Sequence, residues 1–289
     1  MLQRLTPLVP VLVLLLCSSL HAADGFAALS LPVAKPAIPK RVEMIVGLGK
    51  ETRYRPRIEA VHALGKELVA AEMTALIWFL HRKEGEDALP LKYVNPIKND
   101  ITHALIHQYR PPQELTAHLV PMFRDPKQDA VWRDYCVQFI GQWYPKVGGP
   151  VKRAEMRKAL DEALARKTIP TAGTALIALS GLVGENDIDA SAVSRSALAI
   201  ALDSDAANAA RVSAFQVCGR LKCQACLPGA RKLADSKGSA TLRMSCLAVV
   251  GTLGDRSDIP LLERGAESRD VRLRTTAKSA IKRIQKREG

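Results

Sequence analysis

The amino-acid sequence predicts an all-α repeat protein, a solenoid of stacked antiparallel helix pairs. A ten-residue phrase recurs seven times along the chain, with successive copies 31 to 41 residues apart. The fifth, eighth and ninth positions of the phrase are apolar or small, a spacing that places them on one face of a helix. No alternating strand pattern competes with this period. A period that drifts within this range is typical of helical repeats joined by loops of variable length.

Each copy of the phrase is predicted to form the first helix of a pair. The tenth residue is glycine in five of the seven copies, which suits a helix end or a close crossing of two helices. The copies are PRIEAVHALG (56–65), IKNDITHALI (97–106), WRDYCVQFIG (132–141), AGTALIALSG (172–181), ARVSAFQVCG (210–219), LRMSCLAVVG (242–251) and LRTTAKSAIK (273–282). Second helices are predicted from the apolar period over 68–80, 115–123, 154–164, 192–202 and 261–266. Together the segments make about six antiparallel pairs and a final helix.

Residues 1–23 have the layout of a secretory signal peptide. A short basic start at Arg4 precedes an uncharged apolar run over 5–20, and small residues end the segment. The run is short for a membrane span, and no later stretch approaches the roughly 20 apolar residues that a span needs. Two alternatives stay open, a retained anchor and a lipid on Cys17, although the residue before that cysteine is bulky. We expect the mature protein to be periplasmic or secreted, in an oxidising compartment.

The segment that follows, 24–54, is interpreted as a linker. It contains Pro32, Pro36 and Pro39 and shows no helical period. Proline fixes its own backbone and favours extended chain. The predicted solenoid therefore occupies 55–289.

The most regular copies of the repeat carry a family resemblance. They combine LRMSC at 242–246, GTLGD at 251–255 and IPLL at 259–262. In this pattern the chain resembles the HEAT repeat, and more closely the bilin-lyase-type HEAT repeats, over roughly 55–285. The resemblance is strong after 205 and loose before 130. It implies a right-handed superhelix and, because most members are scaffolds while a few act on bilins or nucleic acid, it specifies the fold better than the activity.

The second position of the phrase is basic in six of the seven copies. The six are Arg57, Lys98, Arg133, Arg211, Arg243 and Arg274. One interpretation is an anion-binding stripe along the solenoid. The other is a structural ladder paired with carboxylates of the adjoining loops, such as Asp129, Asp205 and Asp270. We favour the structural ladder, because a charge that repeats with the fold is usually paired.

The N-terminal half is predicted to carry the binding surface. Ten of the thirteen aromatic residues lie between 78 and 144, and all histidines after the signal segment lie between 62 and 118. Tryptophan, tyrosine and arginine are frequent interface anchors, although bulky packing in less regular repeats would produce the same composition. The predicted binding residues are His103, His107, Arg110, His118, Trp132 and Arg133.

His103 and His107 are four residues apart, a spacing that can hold a metal ion. Ala104 stands where the HExxH motif of zinc proteases needs its glutamate, and no third ligand is evident. We therefore predict neither a metal site nor a cofactor.

Five cysteines follow the predicted signal peptide and fall into two groups. Cys136, Cys218 and Cys246 occupy apolar positions of the phrase, so we expect them to be buried and reduced. Cys223 and Cys226 lie in the turn before a second helix. In an exported protein two such cysteines are predicted to form a local disulfide, and a redox-active pair at a helix N-terminus is the alternative.

The function predicted from these features is a non-catalytic exported scaffold that binds another macromolecule, an unidentified protein or an acidic macromolecule. We expect no nucleic-acid partner, and the oligomeric state stays open. A net charge of +13 leaves a second hypothesis, binding of an anionic polymer or membrane surface through basic faces. An enzyme that uses the concave face, bilin-lyase-like or of another class, is the third hypothesis, for which no nucleophile or base is evident. Seven basic residues within 272–287 are interpreted as the polar outer face of a terminal repeat.

Overall fold

The structure, a computed structural model, describes residues 34–48, 53–185 and 187–288. The predicted signal peptide lies outside these residues. The described chain forms fourteen α-helices and no β-strand. The helices are α1 (Lys40–Glu43), α2 (Tyr54–His62), α3 (Ala70–Leu80), α4 (Leu91–Ile106), α5 (Leu115–Arg124), α6 (Ala130–Trp143), α7 (Pro150–Leu164), α8 (Thr171–Gly181), α9 (Ala190–Leu202), α10 (Asn208–Arg220), α11 (Leu227–Ala234), α12 (Ala240–Leu253), α13 (Ile259–Ala266) and α14 (Val271–Glu288). Within these ranges, none of the helices combines the length and the apolar character that crossing a membrane would need.

The helices form two layers. The even-numbered helices α2 to α14 pack side by side, each against the next, and they contain the seven copies of the phrase. The odd-numbered helices make the other layer, where α1 packs against α3, α5 against α7 and α11 against α13. This arrangement confirms the predicted solenoid of antiparallel helix pairs. The right-handed sense of the superhelix stays a prediction.

The phrase places its apolar positions in the core between the layers. In the third and sixth copies the fifth, eighth and ninth residues are all buried, as Phe139 and Val249 illustrate. Two of the tenth-position glycines, Gly141 and Gly251, serve close crossings, whereas Gly181 is the last residue of its helix. A Cβ atom added at Gly251 would lie 2.4 Å from Cβ of Ala280 on the next helix of the layer. Such a short distance means that this crossing admits no side chain.

Part of the segment that was interpreted as a linker, residues 40–46, is packed against the repeat array. Val42, Ile45 and Val46 are fully buried, and α1 packs against α3 as an odd-layer helix. These three residues have the i, i+3, i+4 spacing of one helical face. The prolines before α1 hid this short period, so the repeat array begins half a pair before the predicted boundary at 55.

The basic ladder has a structural role, but its partners differ from those predicted. Each of the six side chains donates a hydrogen bond to a backbone carbonyl at or just beyond the end of the preceding odd-layer helix. The bonds are Arg57 Nε to Ile45 O (3.1 Å), Lys98 Nζ to Arg82 O (2.5 Å), Arg133 Nε to Phe123 O (2.8 Å), Arg211 Nε to Ala201 O (3.2 Å), Arg243 Nε to Ala234 O (3.1 Å) and Arg274 Nη1 to Ser268 O (2.9 Å). The last carbonyls of a helix lack partners within it and carry partial negative charge, so a cation there is stabilising.

Two of the carboxylates that were expected to pair with the ladder have other partners. Asp129 and Asp270 accept backbone N–H groups at the starts of α6 and α14. Arg57 alone has a full carboxylate partner, because its guanidinium donates to both oxygens of Asp87, at 2.7 and 3.0 Å. The ladder is therefore a set of helix C-terminal caps rather than a stripe open to an anionic polymer.

Candidate functional site

The loops that follow α2 and α4 run side by side at the edge of the even layer. The amide of Tyr109 donates to the carbonyl of Lys66 over 3.0 Å. The buried side chain of Gln108 joins the two loops. Its Oε1 accepts from the amide of Leu68 at 2.8 Å, and its Nε2 donates to the carbonyl of Gly65 at 2.9 Å. One glutamine thus holds both loops in register.

Helix length explains why this region is open. α2 ends at His62, whereas α4 continues to Ile106. Ala63, an apolar position of the phrase, is exposed in this first copy because the helix has already ended. The last turn of α4 is therefore not covered along its whole length by α2.

Two adjoining cavities of about 610 and 430 Å³ lie along these loops and share Lys66 and Gln108. We call them together the α2–α4 groove. Its polar and aromatic lining consists of His62, Lys66, Glu67, Asn99, Asp100, His103, His107, Gln108, Tyr109 and Arg110.

Three imidazoles line the larger cavity. His62 Nε2 lies 2.7 Å from Oδ2 of Asp100. The rings of His103 and His107 are stacked, with centroids 4.2 Å apart, and Nδ1 of His107 lies 2.8 Å from the carbonyl of His103. Burial, followed by the neighbouring His107, lowers the pKa of His103 below its usual range. Within the part of the chain that the structure describes, no three His, Cys, Asp or Glu side chains are arranged to hold a metal ion.

The smaller cavity combines one aromatic ring with two cations. Tyr109 is 72% exposed, the Nζ of Lys66 lies 5.9 Å from the centre of its ring, and the neighbouring Arg110 is also exposed. Tyrosine and arginine contribute more than other residues to protein interfaces because they offer large contact areas with polar ends.

The structure brings together three of the six predicted binding residues, His103, His107 and Arg110, and separates the others from them. His118 lies in the odd layer, where its Nδ1 is 2.9 Å from Nε2 of His81. Arg133 is the helix cap described above.

Trp132 is fully buried, with Nζ of Lys98 5.0 Å from its ring centre, so its prediction as a contact residue is wrong. The first position of the phrase faces the packed interior of the repeat, and this burial was not visible from residue type.

Sequence reasoning missed His62, Lys66, Gln108 and Tyr109. A signal for His62 existed, because it occupies the seventh phrase position, as His103 does in the next copy. Equivalent positions of neighbouring repeats lie side by side in a solenoid. The other three lie in loops, where the phrase carries no information.

The five described cysteines are free thiols. Cys136, Cys218 and Cys246 are buried, as predicted. The predicted bond between Cys223 and Cys226 is not formed in this structure. Cys226 is fully buried rather than exposed in the turn, and the neighbouring Cys218 thiol lowers its pKa.

Another cavity, of about 730 Å³, lies beside α7 and is lined by several charged residues. Its arginines are paired with groups of the chain itself. Arg153 lies 3.0 Å from Glu185, and Arg157 lies 3.0 Å from Asp161. This mutual neutralisation makes the α2–α4 groove the better candidate site.

No protein-family model matches this chain, and the comparison with curated proteins gives no match either.

Proposed function

We propose that the protein is an exported helical-repeat scaffold that binds an acidic segment of another protein in the α2–α4 groove. The observation that carries the proposal is Tyr109, 72% exposed between Lys66 and Arg110 at the end of a groove whose loops are fixed by Gln108. The layout of 1–23 supports export. The resemblance to HEAT repeats, whose members are mostly scaffolds, supports a binding role.

The chemistry of the groove favours recognition over catalysis. The lining of the cavity that holds the three imidazoles contains no serine, threonine or cysteine that an imidazole could activate. Both cavities are open along the surface, so substrate would stay in contact with water. The exposed aromatic ring and cations are instead the groups that anchor a peptide with apolar and acidic side chains.

A photo-cross-linking amino acid at position 109 tests the proposal in the producing cells. We expect a discrete adduct with one protein, identified by mass spectrometry. Arg110→Glu in the same chain should abolish the adduct, because it reverses the charge beside the ring. The same cross-linker at Val151, which is 80% exposed on α7, is the matched control and should yield no such adduct. Equal adducts at both positions, or none at 109, would refute the proposal.

A second candidate function is attachment to an anionic surface through α14. This helix presents Lys278, Lys282, Arg283 and Lys286 to solvent. Clustered basic residues are attracted to anionic lipid by about 1 kcal/mol each near a charged membrane. Binding of the purified protein to vesicles containing phosphatidylserine, with a steep loss as salt rises, would favour this candidate.

A further inference from the structure

Three cysteines converge in the turn between α10 and α11. Cys218 belongs to the last turn of α10 and Cys226 immediately precedes α11, and both are fully buried. The amide of Cys223 donates to the carbonyl of Cys218 at 2.9 Å, and the amide of Cys226 donates to the carbonyl of Cys223 at 3.2 Å. These two bonds hold the backbone of the three cysteines in one compact turn. Cys223 alone among them is partly open to solvent.

The equivalent turn of the next repeat shows what this place in the fold accommodates. Asp258 occupies the position of Cys226 there and is only 4% exposed. Its oxygens accept from the amide of Asp255 at 3.1 Å and from the guanidinium of Arg231 at 2.6 and 2.9 Å. The turn before α13 thus holds a buried anion. A thiolate at Cys226 would occupy the same kind of position, next to the partial positive charge of a helix start.

The two buried thiols differ in the direction in which their pKa values are shifted. A hydrogen bond from Cys218 lowers the pKa of Cys226 below that of an ordinary thiol. The same bond, together with burial, raises the pKa of Cys218. In the reduced protein, therefore, Cys226 is the better nucleophile and Cys218 keeps its proton.

We propose that Cys218, Cys223 and Cys226 form a thiol–disulfide exchange site that accepts a disulfide from an external donor. The accessible Cys223 attacks one sulfur of the donor, forms a mixed disulfide and releases the first donor thiolate. Cys226 then attacks the Cys223 sulfur and releases the second. Finally Cys218, after losing its proton, attacks Cys226, so that a buried Cys218–Cys226 disulfide forms and Cys223 is restored as a thiol.

In this series of three exchange reactions one disulfide is consumed and one is formed. Two electrons pass from the Cys218–Cys226 pair to the donor, and the two protons of that pair match those needed by the two released thiolates. The final bond joins Cys218 and Cys226 because both residues are fully buried, whereas a bridge to the partly exposed Cys223 stays open to attack by other thiols.

Redox titration of the full-length protein tests the site. The reduced protein is equilibrated in glutathione buffers of increasing oxidised fraction, quenched with an alkylating reagent and mapped by peptide mass spectrometry. We expect a single bridge between Cys218 and Cys226, with Cys136, Cys223 and Cys246 alkylated. A final bridge between Cys223 and Cys226, or no bridge in fully oxidised glutathione, would overturn the proposal.

Variants separate the three steps. Cys226→Ser should trap glutathione on Cys223, and Cys218→Ala should stop at a Cys223–Cys226 bridge. Cys223→Ser should slow formation of the buried bridge by about tenfold or more, because only buried sulfurs remain to attack the donor. Cys246→Ser is the matched control, a buried cysteine of the next repeat, and should leave the rates unchanged. Unchanged rates in Cys223→Ser would contradict the entry role.

Comparing two disulfide donors shows whether the site is oxidised by a protein or by a small thiol compound. Insulin provides protein disulfides, and oxidised glutathione provides a small one. Faster oxidation of the site by insulin assigns a protein donor, and faster oxidation by glutathione assigns a small thiol compound. Inertness towards both would overturn the proposal. Thermal unfolding of each variant verifies that it is folded. The redox titration of the wild-type protein tests the proposal even if a variant fails to fold.

Discussion

The first three repeats pack through large side chains, whereas the last three pack through small ones. Trp132, Trp143 and Phe79 are fully buried in the N-terminal repeats, together with charged groups such as Arg57 and Lys98. In the C-terminal repeats neighbouring helices instead cross at glycine and alanine. Helix separation depends on the side chains at the contact, so small residues produce close and regular stacking.

The difference between the two halves indicates where binding surfaces arise in a solenoid. Close crossings leave little space between consecutive repeats. In the N-terminal half, unequal helix lengths and loops bridged by Gln108 leave the α2–α4 groove open. Buried ions there must be satisfied within the chain, which makes that half sensitive to charge, while the C-terminal half is sensitive to volume.

The largest effect is expected from Arg57→Met, which would leave the buried carboxylate of Asp87 with only Arg82 as a cationic partner. Removing one partner of a buried pair costs about 3–5 kcal/mol. Arg55→Met is the matched control, because Arg55 is 87% exposed and its pair with Glu59 contributes at most about 1 kcal/mol. Urea unfolding of both variants measures the difference between their free energies of unfolding. Equal losses of stability would show that charge burial does not distinguish the N-terminal half.

The next effect concerns volume in the C-terminal half. Gly251→Ala places a methyl group 2.4 Å from Cβ of Ala280 and should destabilise the protein by about 1–3 kcal/mol. Gly181→Ala, at the same phrase position but with no atom within 4 Å, should stabilise it by up to about 1 kcal/mol through helix propensity. Thermal unfolding shows whether each substitution stabilises or destabilises the protein. A stabilising Gly251→Ala would mean that this crossing is looser than described.

Acid should weaken the N-terminal half first. His81 and His118 share a hydrogen bond that needs one bare ring nitrogen, and burial followed by the His118 charge lowers the pKa of His81 to about 4. Because this folded pKa lies below the unfolded value of about 6.5, the unfolded chain binds protons first. The contribution is complete above about pH 6.5 and is lost as the pH falls towards 4.

Urea unfolding at pH 7 and pH 4.5 measures this loss of stability. The wild-type decrease should exceed that of His81→Gln by about 1–2 kcal/mol, since each pKa unit corresponds to about 1.4 kcal/mol and the ring is not completely buried. His107→Gln, which changes an exposed ring, should behave as wild type. An identical decrease in His81→Gln would show that other groups cause the acid sensitivity.

The smallest effect separates the basic residues of α14. Arg287 donates to the carbonyls of Gly251, Thr252 and Gly254 and so caps α12. Arg287→Gln should cost about 1 kcal/mol. Joint replacement of Lys282, Arg283 and Lys286 by Gln should leave the melting temperature nearly unchanged. A lower melting temperature for the triple variant than for Arg287→Gln would contradict this order. It would mean that the charges of the three exposed residues stabilise the terminal repeat.

The local pattern of the sequence predicted the helices well and their contacts incompletely. Every copy of the phrase begins in an even-layer helix, and Cys136, Cys218 and Cys246 are buried as their phrase positions require. The short helix α1 was missed because its prolines hid the spacing of Val42 and Ile45. Repetition identified the ladder as structural, yet it could not identify carbonyls as the acceptors, because those groups belong to every residue alike.

Only the tertiary structure decided which loops meet. Tyr109 and Lys66 are more than forty residues apart along the chain, yet the amide of one donates to the carbonyl of the other. Likewise Cys226 is buried together with Cys218 rather than exposed in the turn. The sequence by itself determined the α-helical repeat and its buried face, because helical periodicity is a local property of the chain. The groove and the thiol cluster depend on how successive repeats and their turns stack, which is set by non-local packing.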